Sequence, residues 1–343
     1  MGNNLTQDQM ATEFVSLSLA DLDQVPPTVT SLTLDYSDQA VPLPEIGPGV
    51  KTLILRGGRF SGQVRFPEGL ESIELHDVGG TMPMVRWIYP TTLKSFKAFT
   101  VNGHLLDLRS VTAPEVTASN PSKWPRFYFS DTVESLDLDS RYSPYFPVLP
   151  HYLRKLKIHE LELDIKYDKA VYPTVEELET GYVMESIPVG IMFPNIEKYT
   201  IRMRWDPVWT PLDFPKLREL TFSESSSREA IEIIAPELER LTIWGYDRHK
   251  VQLDPKLNTL GATLTSISLY GQGAEFPEAE EWERLSSVTV AKTSVVLPFI
   301  RWLDTLELDR PSTTNGVDVS NLEEYREAWG LSGRSNAKLA ARY

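Results

Sequence analysis

The sequence predicts a repeat solenoid, a stack of short coils that share one core and carry a parallel β-sheet along one face. Two observations lead there. "FPKLRELTF" (214–222) and "APELERLTI" (235–243) stand 21 residues apart and keep the same leucines while the charges change. A proline also stands at a fixed place ahead of the leucines in most copies of this phrase. Self-similarity at so short a period is the signature of a solenoid, whose repeats cannot bury their apolar sides alone.

The phrase reduces to Leu-x-x-Leu-x-Leu with any aliphatic or aromatic residue at the Leu positions. Its middle position falls on Leu32, Leu53, Ile73, Phe96, Val116, Leu136, Leu156, Leu178, Tyr199, Leu220, Leu241, Ile267, Val288 and Leu306. Most spacings are 20 to 23 residues, one is 26 and the last is 18. Pro27, Pro48, Pro67, Pro90, Pro150, Pro173, Pro194, Pro215 and Pro236 precede the first Leu position by two or three residues. Alternation with period two marks a strand with one face inward. The segments between strands, such as "DYSDQAVPLPEIGPG", are rich in Pro and Gly, so most return segments are extended or turn-like rather than helical. The leucines recur because they form the core, and the charges vary because they form the surface.

Element by element, residues 1–28 are expected to cap the first coil, with "TQDQMATEFVSLSL" as a short helix or a partial coil. Residues 29–312 are expected to form about fourteen coils. "FPEAEEWERL" (276–285) reads as a helical return segment. Residues 313–343 are expected to end the stack. Ser320 and Glu323 make a capping box for a short helix carrying Leu322, Tyr325 and Trp329 and ending near Gly330, ahead of a mobile tail.

Composition bounds the function. The chain of 343 residues is globular in make-up, has no cysteine and carries a formal net charge of −14. Disulfides, thiolate zinc ligands and cysteine nucleophiles are thereby excluded. The acidic balance speaks against nucleic acid or an anionic membrane as the main partner. The polar start carries no secretory pattern, and no apolar run is long enough to span a bilayer. The expectation is a soluble monomer in a cytoplasm, its own or that of a host after delivery. Gly2 followed by Thr6 fits the loose myristoylation pattern, which is read as a chance match.

On the repeated motif, the chain resembles the leucine-rich-repeat superfamily over residues 29 to about 310. "PPTVTSLTL" (26–34) is similar to the proline-marked repeats of FNIP-type and bacterial-effector proteins. The usual Asn or Cys three residues beyond the last Leu is missing, its place held by Ser37, Gly58, Val78, Arg204 and Tyr246 among others. The resemblance implies a horseshoe with the sheet on its concave face, an effector or adaptor that binds another protein without catalysis.

Register sorts the exposed residues into columns. Before the middle Leu stand Lys155, Glu177, Lys198, Glu219 and Arg240, and after it Asp137, Lys157 and Glu179. Alternating signs point to a self-compensating ladder. Thr200, Thr221, Thr242, Ser268 and Thr289 continue the second column. The column after the last Leu brings Trp244 beside Tyr270, with Arg202 two coils earlier and Arg204, Trp205 and Tyr246 nearby in sequence. Arg, Trp and Tyr are enriched at interface hot spots, so these six residues are the candidate protein-binding patch.

No catalytic, cofactor or metal site is expected. Ser119, Asp139 and His159 follow one another in one column, but a triad needs the imidazole between the other two. Asp139 and His159 read as a surface pair. The remaining histidines lack metal-ligand spacing, and "RGGRFSG" (56–62) is not a phosphate loop. The alternative is a parallel β-helix that binds or acts on polysaccharide. Against it, each coil offers one clear strand pattern rather than three.

Overall fold

The computed structural model describes residues 13–17, 28–36, 42–60, 62–80, 86–99, 105–119, 126–139, 148–159, 171–181, 189–202, 212–224, 233–245, 263–271, 282–291, 303–309 and 338–342. The architecture is a parallel β-solenoid, and its only described helix is the four-residue turn Val189–Met192. The chain divides into two compact units, Met1–Tyr167 and Asp168–Tyr343.

In the first unit the main sheet is built from β1 (Glu13–Leu17), β2 (Ser31–Asp35), β3 (Thr52–Arg56), β4 (Ser72–His76), β5 (Ser95–Phe99), β6 (Glu115–Ser119), β7 (Ser135–Asp139) and β8 (Lys155–Ile158), in chain order. All neighbours run parallel, and from β2 onward every middle Leu position lies opposite the next: Leu32, Leu53, Ile73, Phe96, Val116, Leu136, Leu156. The second unit repeats the plan with β9 (Glu177–Thr180), β10 (Lys198–Arg202), β11 (Glu219–Glu224), β12 (Arg240–Gly245), β13 (Ser266–Gly271), β14 (Ser287–Ala291), β15 (Thr305–Asp309) and β16 (Lys338–Arg342). There the opposed positions are Leu178, Tyr199, Leu220, Leu241, Ile267, Val288 and Leu306.

Burial follows the motif. Leu217, Leu220 and Phe222 are buried, as are Leu238, Leu241 and Ile243 one coil later, while the residues between them face outward. Burying each such side chain stabilises by ~1.5–3 kcal/mol. In the first unit, wider coils are filled by an aromatic string in which Tyr36, Phe60, Trp87, Phe66, Tyr89 and Phe96 touch in sequence, with centroids 5.2–5.7 Å apart.

The proline has a geometric meaning. The Leu217 N–H donates to the Phe214 carbonyl and the Leu238 N–H to the Ala235 carbonyl. Each bond closes a four-residue turn with Pro215 or Pro236 at its second position, where the fixed φ of proline fits. The first Leu position of the motif is therefore the last residue of a turn.

A backbone carbonyl relay marks the entrance of most strands. The N–H groups of Arg218 and Glu219 both donate to the Glu197 carbonyl at 2.8 and 2.9 Å, and those of Glu239 and Arg240 both donate to the Arg218 carbonyl at 2.9 Å. The same double donation enters β3, β4, β5, β7, β8, β10, β13, β14 and β15. Val78, at one of the positions three residues beyond a last Leu, is buried. A side chain on Gly58, at another, would press on Tyr36 with its Cβ 2.9 Å from the tyrosine Cβ.

Several expectations need correction. The N-terminal segment contributes strand β1, paired parallel with β2, which is the partial coil rather than the helix. The last residues form β16 in register with β15, so "KLAAR" extends the sheet where the sequence reading placed a mobile tail. Leu339 and Ala341 fall opposite Leu306 and Leu308. Some coils also carry a second parallel strand: Arg59–Phe60 pairs with Gly79–Gly80, Gln63–Arg65 with Arg86–Ile88, Leu105–Leu108 with Arg126–Phe129, and Leu212–Asp213 with Ile233–Ile234. Most of these strands are two or three residues long, too short to show a period of two, and the four-residue pair LLDL and RFYF lacks the repeated phrase. Residues 283–284 form a bend, and 276–281 lie outside the described residues. The capping helix with Ser320 and Glu323 and the Gly2 pattern lie outside them too.

Candidate functional site

The sheet face is lined by the outward residues of the motif, and charge organises most of it. Glu219 on β11 lies between Lys198 on β10, at 3.7 Å, and Arg240 on β12, which donates to it. One row of turn residues repeats the arrangement: Glu71 receives Lys94 at 2.6 Å and Lys51 at 3.7 Å, and Arg218 pairs with Glu239 at 3.7 Å. The hydrogen bond and the positive charge of Lys94, with Lys51 assisting, hold the Glu71 carboxyl below the usual carboxylate range. Exposed pairs of this kind are worth little one at a time, ~0–1 kcal/mol. Their consequence is register, because a slip of one residue would turn every pair inward.

The histidines join the ladder diagonally. His159 Nε2 lies 2.9 Å from Asp137, which Lys157 approaches at 3.4 Å. The expected partner of His159, Asp139, instead accepts from the Ser119 hydroxyl at 3.4 Å. The reason is reach: an imidazole at the strand end leans back across the sheet to the residue two positions earlier on the neighbouring strand. His76 likewise lies 2.5 Å from Glu74 on its own strand, with its ring stacked on Phe99 at 4.8 Å. The three residue types thus do not assemble a nucleophile, base and orienting acid. Among the described residues, no group of three or more His, Asp or Glu is placed to hold a metal ion, and no helix is long and apolar enough to cross a membrane.

One part of the face departs from the charged pattern. Trp244 on β12 and Tyr270 on β13 are direct register partners, and their rings stack with centroids 4.2 Å apart and planes 15° from parallel. Trp244 is 40% exposed despite that contact. Its other neighbour in register is Ser223 on β11, and beyond Ser223 stands Arg202 on β10. Arg202 is 64% exposed and reaches back to Glu179 on β9 at 3.0 Å. Of the six predicted patch residues, Arg202, Trp244 and Tyr270 therefore share one column of the second unit. Arg204, Trp205 and Tyr246 lie outside the described residues.

The sequence placed Glu179 in the charge ladder and Ser223 in the column of Trp244, but gave neither a part in the patch. Glu179 was legible as a diagonal neighbour of Arg202, two positions before the residue directly opposite. Ser223 carries its signal only once its neighbours are known, because a small residue matters for the space it leaves. Comparison with protein-family models, curated proteins and solved structures finds no match for this chain.

Proposed function

We propose that this chain is a non-catalytic recognition scaffold, a leucine-rich-repeat-like horseshoe that binds a partner protein through its sheet face and rims. It acts as an effector or adaptor in a cytoplasm. The observation that carries this reading is the Trp244–Tyr270 stack, whose indole is 40% exposed on a stretch of sheet otherwise lined by charged, Thr and Ser side chains. An exposed indole on a rigid sheet keeps its shape on binding and loses little side-chain entropy. Arg202 lies two strands away, and Trp, Tyr and Arg are the residues that dominate interface energies.

The test is affinity capture from lysate of the source organism or its host, followed by titration of the identified partner. Wild type is run beside the triple variant Arg202→Glu, Trp244→Ala, Tyr270→Ala after circular dichroism shows both folded. A partner that binds the wild type and loses at least thirtyfold, about 2 kcal/mol, on the variant supports the reading. Equal binding by both moves the interface elsewhere, and no protein partner for either ends the reading.

A further inference from the structure

Trp244 has one ring face against Tyr270, yet the residue remains substantially exposed. Strand order puts its other face toward β11, where the register partner is Ser223. Neighbouring strands lie ~4.8 Å apart, so β10 and β12 stand roughly 9.6 Å apart, and among the described residues only a serine stands at this level between them. The Arg202 guanidinium does not fill the gap, because Glu179 draws it toward β9. The result is a slot with an indole face as one wall, an exposed Arg–Glu pair as the other, and the outward positions Ser223 and Thr221 as its floor.

The pair that walls the slot is already matched, because Arg202 is held by Glu179. An ionic ligand would have to break this pair or sit beside a like charge. An uncharged ligand that presents one flat C–H face and a rim of hydroxyls meets no such cost. The C–H face packs on the indole, and the hydroxyls meet carboxylate acceptors, guanidinium donors and two side-chain hydroxyls. A pyranose ring has that chemistry.

We propose that the slot between Arg202 and Trp244, floored by Ser223, is a binding site for one uncharged sugar ring, presented by a free oligosaccharide or by a glycan on the partner. The proposal rests on the recognition reading above and names what that face recognises. Trp244 supplies the stacking surface, Arg202 and Glu179 clamp adjacent hydroxyls, and Ser223 provides the room.

The experiment titrates the full chain by calorimetry with neutral hexasaccharides of glucose, mannose and xylose, with tetragalacturonate as the charged comparator. At least one neutral hexasaccharide should bind, with affinity unchanged by added salt. Trp244→Ala and Ser223→Leu should each weaken it at least tenfold, the first by removing the wall and the second by filling the slot. Circular dichroism checks both folds, and Trp244→Phe, which keeps an aromatic face, should retain partial affinity. The proposal is overturned if no neutral sugar binds at concentrations on the order of 10 mM, if tetragalacturonate binds more tightly, or if Ser223→Leu leaves affinity unchanged. A captured partner that still needs Trp244 after enzymatic deglycosylation would leave the protein-recognition reading standing and sink the sugar site alone.

Discussion

The Leu217 N–H meets the Phe214 carbonyl at 3.2 Å across a turn in which Pro215 is the second residue. The bond recurs between Leu238 and Ala235 at 3.1 Å, Ile196 and Phe193 at 3.4 Å, and Val175 and Tyr172 at 3.4 Å, each with proline in the same place. Each turn hands its last residue to the core, and after Ile196, Leu217 and Leu238 the next two N–H groups share one carbonyl of the preceding coil. The proline acts chiefly on the unfolded chain, whose freedom it restricts before folding begins. Pro215→Ala should therefore destabilise by about 0.4–1 kcal/mol while leaving the circular dichroism spectrum unchanged. The urea midpoint reports it, and a loss of several kcal/mol would show that the ring packs rather than pre-organises.

Gly190 supports a sharper expectation. A Cβ at that position would lie 2.2 Å from the backbone carbonyl oxygen of Asp213, so the helical turn Val189–Met192 touches the next coil through a bare glycine. The obstacle is backbone, which cannot swing aside. Gly190→Ala should cost about 1–3 kcal/mol through local overpacking. Gly47, where an added Cβ meets nothing within 4 Å, is the control. Gly47→Ala should be neutral or stabilising by up to about 1 kcal/mol. Equal effects at both positions, read from thermal midpoints, would rule out the close approach.

How much of this was visible beforehand follows from what a pattern of period two can and cannot express. The strand positions and their register were readable because Leu220, Leu241 and their equivalents must all face one core. The charge ladder was readable for the same reason, since residues on either side of a core position must face out. The second-face strands were not: Arg59–Phe60 and Gln63–Arg65 are too short to show alternation, and the four-residue LLDL and RFYF do not repeat the Leu-x-x-Leu-x-Leu phrase. Nor was the carbonyl relay, which is made of backbone and leaves no residue preference. The Trp244–Tyr270 pair was legible as neighbours in a column, whereas its face-to-face stacking and the space over Ser223 depend on side-chain direction. The His159 pairing was misread for that reason: opposition in register suggested Asp139, and the ring's reach selected Asp137.

Acid should weaken the ladder in a defined order of events at Glu71. Its folded-state pKa lies below the ordinary carboxylate value of about 4.3, so its pairing with Lys94 and Lys51 stabilises the fold above that value. The contribution is lost as pH falls through the lower folded-state pKa. Glu71→Gln should accordingly lower the thermal midpoint at neutral pH, and its difference from wild type should shrink toward zero as the pH drops below the carboxylate range. A difference that persists undiminished in acid would assign the effect to packing instead of charge.

Tyr199 works in the opposite direction. Its ring occupies a middle core position on β10, packs edge-on against Phe214 at 5.2 Å, and brings its hydroxyl 3.2 Å from that of Thr180, itself buried. Burial pushes the phenol well above its ordinary pKa of about 10, with the Thr180 hydrogen bond a smaller opposing influence. The sign follows from linkage: a raised folded-state pKa means stability fully present below about pH 10 and progressively lost as pH rises, because only the unfolded chain can ionise this group. Tyr199→Phe should cost about 0.5–1.5 kcal/mol at neutral pH, since the Thr180 hydroxyl loses its partner in a buried site. The same variant should lose less stability than wild type between neutral pH and pH values above about 10. Urea midpoints of the two proteins measured at neutral and alkaline pH should therefore converge or cross, and parallel curves would show that the phenol ionises in the folded state and is not sealed in the core.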